Sequence, residues 1–300
     1  MEIRNLLVAF FLLAGYLSRS QISIGFNSPS QVCINEPLSI QNTSVSADSY
    51  LWNFCLPNYD SAFPSNKITD ASIRQSFDIE IDSSGGQWFG FIANRTGDDI
   101  IKLTFGNDLR NSPVISSLGG FSLLNDPMNI RLIYDGVNWF GFVNSFVNSQ
   151  FVRLDFGASL NNIPTATNLG NFGTINSSIG LWVGFDNGSY KAVITNNSNA
   201  NITILDFGSS LTNTPSSTVF STTGTLNNRG IGLYKHSGNW HGIINSKGNN
   251  KIYHLDFGSS ITNAITQTEI INAGFSFVAP SGLRVTSHGD EVLVYSMSES

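Results

Sequence analysis

Apolar and polar residues alternate along this chain in short runs, and the runs recur. In DIIKLTFG, Ile101, Leu103 and Phe105 fall on one side. In QFVRLDFG the set is Val152, Leu154 and Phe156, and in KIYHLDFG it is Tyr253, Leu255 and Phe257. A period of two puts successive side chains on opposite faces of an extended backbone, so each run predicts a β-strand. Each run leads into one copy of a longer motif. The copies are LTFGNDLRNSP from Leu103, LDFGASLNNIP from Leu154, LDFGSSLTNTP from Leu205 and LDFGSSITNAI from Leu255, at spacings of 51, 51 and 50 residues.

A second marker travels with the first. GQWFGFIAN carries Trp88, VNWFGFVNS carries Trp139, NGSYKAVIT carries Tyr190 and GNWHGIINS carries Trp240. Each stands 17 residues before the motif phenylalanine, which is Phe105, Phe156, Phe207 or Phe257. A constant internal length predicts a hairpin whose register matters. The links NRTGD, SFVNS, NNSNA and SKGNN are rich in turn formers. A further strand precedes each aromatic (MNIRLIYDG, RGIGLYKHSG), and an apolar-polar stretch such as IPTATNLGNFG follows each motif. That makes four short strands per unit of about 50 residues, with no helical period, which is the pattern of β-propeller blades. A lone unit cannot bury both faces of its sheet, so the ring has to close.

The expected fold class is therefore all-β, a propeller with four-stranded blades. The phase extends both ways: Phe54 in SYLWNFC lies 51 residues before Phe105, and Gly289 lies 51 after Gly238. A composite blade built from both ends gives five blades, the favoured count. Six result if SQISIGFN and INEPLSIQN form the first strands of a blade of their own.

The N-terminal stretch adds a different signal. Arg4 precedes an apolar run from Leu6 to Leu13, and Ser18 and Ser20 follow. This reads as a signal peptide over 1–20, with an N-terminal segment at 21–75 and propeller repeats at 76–300. The run is short for a membrane span, and no later stretch is long and apolar enough, so no span is expected after cleavage. Two cysteines, Cys33 and Cys55, would then reach an oxidising compartment, where a bridge between them is expected. Charged residues make up 12% of the chain and the formal net charge is −6. Without a Lys/Arg cluster, nucleic acid is excluded as a partner.

The stretch CINEPLSIQNTSVSADSYLWNFC resembles the opening of a PKD domain through Asn42, Ser44, Ser49, Tyr50, Trp52 and Phe54. Where that family continues with a Gly-Asp-Gly turn, this chain has Cys55, Leu56 and Pro57. The layout is similar to that of large secreted surface proteins of gliding-type bacteria. The resemblance implies a secreted or cell-surface location.

Candidate chemistry is sparse. Asp155, Asp206 and Asp256 recur in the motif, but Thr104 fills the same place in another copy. A repeated Asp before Gly reads as a turn device rather than a cation or sugar site. Trp88, Trp139, Tyr190 and Trp240 read as inter-blade core, with sugar stacking as the alternative. His236 and His241 stand five apart and do not share a strand face, and His254 and His288 lie elsewhere, so no metal pair is expected. Six N-x-S/T sequons, at Asn42, Asn94, Asn176, Asn187, Asn196 and Asn201, are glycan sites in a eukaryote and Asn-rich turns in a bacterium. Asp78, Glu80, Asp135 and Asp186 are available as carboxylates for glycoside hydrolysis, but no catalytic pair stands out, and neither a cofactor nor a metal is expected. The expectation is a monomeric, non-enzymatic extracellular binding or adhesion scaffold for a glycan or protein. The alternative is a glycan-active enzyme on the same fold. An enzyme would gather unlike, non-repeated polar groups at the channel, whereas a scaffold would show the same residue types blade after blade.

Overall fold

The computed structural model describes residues 26–27, 41–43, 68–270, 277–288 and 291–298. The chain divides into two compact units, 1–65 and 66–300. In the first, β1 (Phe26–Asn27) pairs antiparallel with β2 (Gln41–Asn42). The signal peptide, the Cys33–Cys55 bridge and the blade closed by the N-terminal segment fall outside the described residues.

The second unit is a series of antiparallel meanders. The first sheet holds β3 (Asp78–Ser84), β4 (Gln87–Asn94), β5 (Asp99–Gly106) and β6 (Val114–Ser117). The second holds β7 (Pro127–Tyr134), β8 (Trp139–Ser145), β9 (Gln150–Gly157) and β10 (Thr165–Gly170). The third holds β11 (Ser178–Asp186), β12 (Ser189–Asn196), β13 (Asn201–Gly208) and β14 (Ser216–Ser221). The fourth holds β15 (Asn228–His236), β16 (Asn239–Ser246), β17 (Lys251–Gly258) and β18 (Thr266–Glu269). A fifth sheet has β19 (Pro280–His288) paired with β20 (Glu291–Ser298). The described residues contain no α-helix. The fold is an all-β propeller.

Each marker aromatic opens the second strand of its blade, and each motif phenylalanine lies on the third. The register repeats: Trp88 faces Gly106, Trp139 faces Gly157, Tyr190 faces Gly208 and Trp240 faces Gly258, each beside a bulge. Those four glycines have φ between 63° and 73°. This is the left-handed region that side chains with a Cβ avoid, which is why the motif reads Phe-Gly every time.

The rest of the motif closes the loop behind that turn. The amides of Asn111, Asn162, Asn213 and Asn263 donate to the carbonyls of Phe105, Phe156, Phe207 and Phe257 at 2.8–3.0 Å. Leu160, Leu211 and Ile261 are fully buried beneath the loop. Phe156, Phe207 and Phe257 are at most 2% exposed, and each packs into a cluster that joins two blades. Trp240 is buried, Trp139 and Tyr190 are partly buried against the same clusters, and Trp88 packs on a smaller cluster around Phe105 in the first blade.

Polar side chains also cross between blades. Asn144 donates to the Gly180 carbonyl at 3.2 Å, Thr195 to the Arg229 carbonyl at 2.5 Å and Asn245 to the Gly282 carbonyl at 3.3 Å. All three occupy the same strand position, one before the second strand's end, and each latches onto the first strand of the next blade. Two sequons fall to the same kind of burial: Asn94 and Asn196 are at most 1% exposed, and their side-chain amides are engaged. Neither can carry a glycan in the folded ring.

The fifth sheet repeats the pattern with one residue added. His288 pairs with Glu291 as His236 pairs with Asn239, so the last interval is 52 residues rather than 51.

Candidate functional site

The first strands β3, β7, β11, β15 and β19 pack side by side in chain order. The Arg284 guanidinium on β19 closes the circuit to β3, donating to Glu80 at 2.6 Å and to the Ile79 carbonyl at 3.4 Å. Equivalent positions on these five strands form tiers around the axis. One tier is Asp78, Asn129, Gly180, Gly230 and Gly282; the next is Glu80, Arg131, Trp182, Gly232 and Arg284. Glycine recurs in these tiers at Gly180, Gly230 and Gly282 and arginine at Arg131 and Arg284, whereas Asp78, Asn129, Glu80 and Trp182 each occur once.

Glycine at the third and fourth blades lets the strands meet at backbone distance. A Cβ on Gly180 would stand 2.3 Å from the Arg229 carbonyl, and one on Gly230 would stand 2.4 Å from Leu283 Cβ. The polar side chains therefore collect at the first and second blades. A cavity of about 780 Å³ lies at the axis, bounded by Asp78, Asn129, Arg131, Gly230, Gly282 and Arg284 among others. A smaller one of about 220 Å³ is lined by Glu80, Arg131, Trp182, Gly232 and Arg284.

Arg131 organises the charges. Its Nη1 donates to Asp78 at 2.5 Å, to Glu80 at 3.2 Å and to the Ile130 carbonyl at 2.6 Å. Asp78 also accepts the Ile130 N–H at 3.2 Å. The three side chains are 11%, 18% and 20% exposed, so these charges are largely withdrawn from water. Glu80 is held by two arginines from opposite ends of the unit. Asn129, 7% exposed, has a buried Oδ1 with no hydrogen-bond partner. A buried acceptor left unpaired is costly, and this one lines the same cavity as Asp78.

The other candidate acids do structural work. Asp206 and Asp256 accept the N–H of Gly208 and Gly258 at 2.9 and 2.8 Å. Burial works against ionised Asp206, but Lys191, Ser189 and Gly208 outweigh it and hold its carboxyl below the usual range. Asp155 pairs instead with Arg153 at 2.8 Å. Asp135 accepts from Val137 and Asn138 of its own turn. Asp186, its repeat equivalent, does not: it is 2% exposed and reaches the fourth blade, accepting from Trp240 Nε1 at 2.7 Å, Ser260 Oγ at 2.8 Å and the Ile261 N–H at 3.0 Å.

The histidines meet across strands. His254 Nε2 lies 3.1 Å from His241 Nδ1, with Asp256 3.9 Å from the latter and Tyr234 stacked on its other side. His236 stands 6.5 Å from His241, ring to ring. Sequence spacing compared His236 with His241 and missed the cross-strand pair, because His254 comes from the neighbouring strand. Among the described residues, no group of three His, Cys, Asp or Glu side chains is arranged to hold a metal. Burial, and then the charge of His241, push His254 below the ordinary imidazole value, with Asp256 opposing in part. The unfolded chain therefore takes up this proton at higher pH than the folded one. Stability is fully present above about pH 6.5 and declines as pH falls through the ordinary histidine range. Thermal melts from pH 8 to 5 should show this decline, with a shallower slope in His254→Gln. An unchanged slope in that variant rules out His254 as the source.

No family model matches this chain, and no curated protein does. Solved structures do. A thermostable family-43 glycoside hydrolase aligns with a TM-score of 0.52 at 11% identity, over 73% of this chain and 82% of that one. The catalytic domain of a Coprinopsis cinerea GH62 α-L-arabinofuranosidase aligns with a TM-score of 0.51 at 11% identity, over 71% and 73%. At this identity the likeness is one of fold. Both are glycoside hydrolases, and the expectation of a non-enzymatic scaffold is corrected accordingly. That expectation weighed the echoed residues, which serve turns and core. At the axis Asp78 and Glu80, which have no counterpart in the other blades, meet Arg131 and Arg284.

Proposed function

We propose that this chain is a glycan-active enzyme that cleaves glycosidic bonds, with Asp78 and Glu80 as its carboxylate pair. The observation that carries the reading is the channel cluster of the unrepeated carboxylates Asp78 and Glu80 with Arg131 and Arg284, beside the unpaired Asn129 Oδ1. Glycoside hydrolysis needs one carboxyl group to protonate the leaving oxygen. The other attacks the anomeric carbon or activates water. Two oxygens held by one guanidinium nitrogen stand no more than about 6 Å apart, closer to the spacing of retaining enzymes than to that of inverting ones. Asn129 Oδ1 is an acceptor for a sugar hydroxyl, and Trp182 supplies an aromatic wall. The shared fold of the two glycoside hydrolases supports the reading. The apolar run Leu6–Leu13 and the low charge of the chain support a site of action outside the cell.

The test is release of reducing sugar from a polysaccharide panel. Glu80→Gln and Asp78→Asn keep side-chain shape and should each lower turnover by about 10²–10⁴-fold, the usual worth of a positioned acid or base. Circular dichroism should confirm that both variants fold. The reading fails if no polysaccharide is cleaved, or if Glu80→Gln turns over at the parental rate.

A further inference from the structure

A second aromatic feature lies at the hairpins that end the innermost strands. In the first and third blades the hairpin joining the first and second strands sits beside the motif loop of the next blade. Ser84 accepts from the Leu160 N–H, Asp186 from the Ile261 N–H, and Asn187 donates to the Ser259 carbonyl. At the base of this hairpin a cross-strand pair repeats: Ser83 with Trp88, Tyr134 with Trp139, Phe185 with Tyr190 and Lys235 with Trp240. Only the second and third blades place two aromatics there. Tyr134 and Trp139 have ring centroids 5.1 Å apart, and Phe185 and Tyr190 have theirs 4.8 Å apart. Yet Tyr134 is 48% exposed and Phe185 53% exposed. In the fourth blade the ammonium of Lys235 lies over the Trp240 ring at 5.5 Å, so the aromatic there is covered.

We infer that the hairpin rim of the second and third blades is a second glycan-binding surface, separate from the channel and suited to a neutral polysaccharide. Each exposed ring is held by the ring beneath it, and the Tyr134 hydroxyl is tied to the Gly136 carbonyl at 2.8 Å, so both platforms are set before binding. Their surroundings are the turns DGVN and NGS, small and polar, with Asp135 engaged by its own backbone. A sugar ring stacks on one flat aromatic while its hydroxyls need polar neighbours. A protein hot spot needs a contiguous dry patch instead. Two platforms on adjacent blades suit a chain of sugars rather than a single residue, and the Asp135 carboxylate next to Tyr134 favours a neutral chain over an anionic one.

The test is retention on insoluble cellulose and xylan, and affinity electrophoresis in soluble neutral and acidic polysaccharides. The parent is compared with Tyr134→Ala, Phe185→Ala and the double variant. The double variant should bind a neutral polysaccharide at least fivefold more weakly, with an unchanged melting temperature and unchanged turnover of a small soluble aryl glycoside. Equal retention of parent and double variant overturns the inference, as does a parent that binds only acidic polysaccharides or none. Retention decides this surface and small-substrate turnover decides the channel, so either can fail without the other. Should an alanine variant lose its fold, Tyr134→Ser and Phe185→Ser repeat the comparison at the same exposed positions.

Discussion

Replacing Arg131 with methionine is expected to destabilise the ring by about 3–5 kcal/mol, the cost of stripping one partner from a largely buried ion pair. Arg131 is 11% exposed and serves Asp78 and Glu80 at once. Without it, Asp78 keeps the Ile130 N–H and Glu80 keeps Arg284. Methionine fills the volume but offers no donor, so the carboxylates lose their shared counter-charge without leaving a large hole. Denaturant unfolding measures the loss. Adding Asp78→Asn to the same chain should return part of it, because the uncompensated charge then disappears. A loss below 1 kcal/mol for Arg131→Met alone would show that the cluster is well solvated and not a buried network.

Phe207→Ala should cost a similar amount, about 3–5 kcal/mol, for a different reason: lost transfer energy plus a cavity that cannot collapse. Phe207 is 2% exposed and its ring lies tilted against Phe142 of the preceding blade at 5.3 Å, and Phe142 in turn stacks on Phe151. Strands on both sides fix that pocket. Phe105 provides the internal control. It holds the same motif position but is 9% exposed in a smaller cluster with Ile92, Ile101 and Leu103. Phe105→Ala should therefore cost measurably less than Phe207→Ala. Equal losses would contradict the view that the inter-blade contact, rather than the residue type, sets the energy.

Local chemistry made the blade readable. Alternation fixes which side chains share a face. The constant interval between marker aromatic and motif phenylalanine fixes the register of the hairpin. Phe-Gly at each motif marks a left-handed turn that only a residue without Cβ adopts freely. The motif asparagine is visible in the repeat, but its bond back to the phenylalanine carbonyl appears only in the folded loop. The site was harder to read for the same reason that the fold was easy. Repetition draws attention to echoed residues, and echoed residues here hold turns together. Asp78 and Glu80 have no echo and Arg131 recurs only as Arg284, so nothing in the spacing joined them.

The sequence alone determined the strands, their order, the blade length and the turn glycines, because each depends on neighbours within about fifty residues. The tertiary structure decided which unlike residues share the axis. Arg284 meets Glu80 across 204 residues, Asp186 reaches Trp240 across a blade boundary, and His241 finds His254 on the adjacent strand. Such contacts follow from how the blades stack into a ring and how closely glycine lets the inner strands approach. No local period encodes either one.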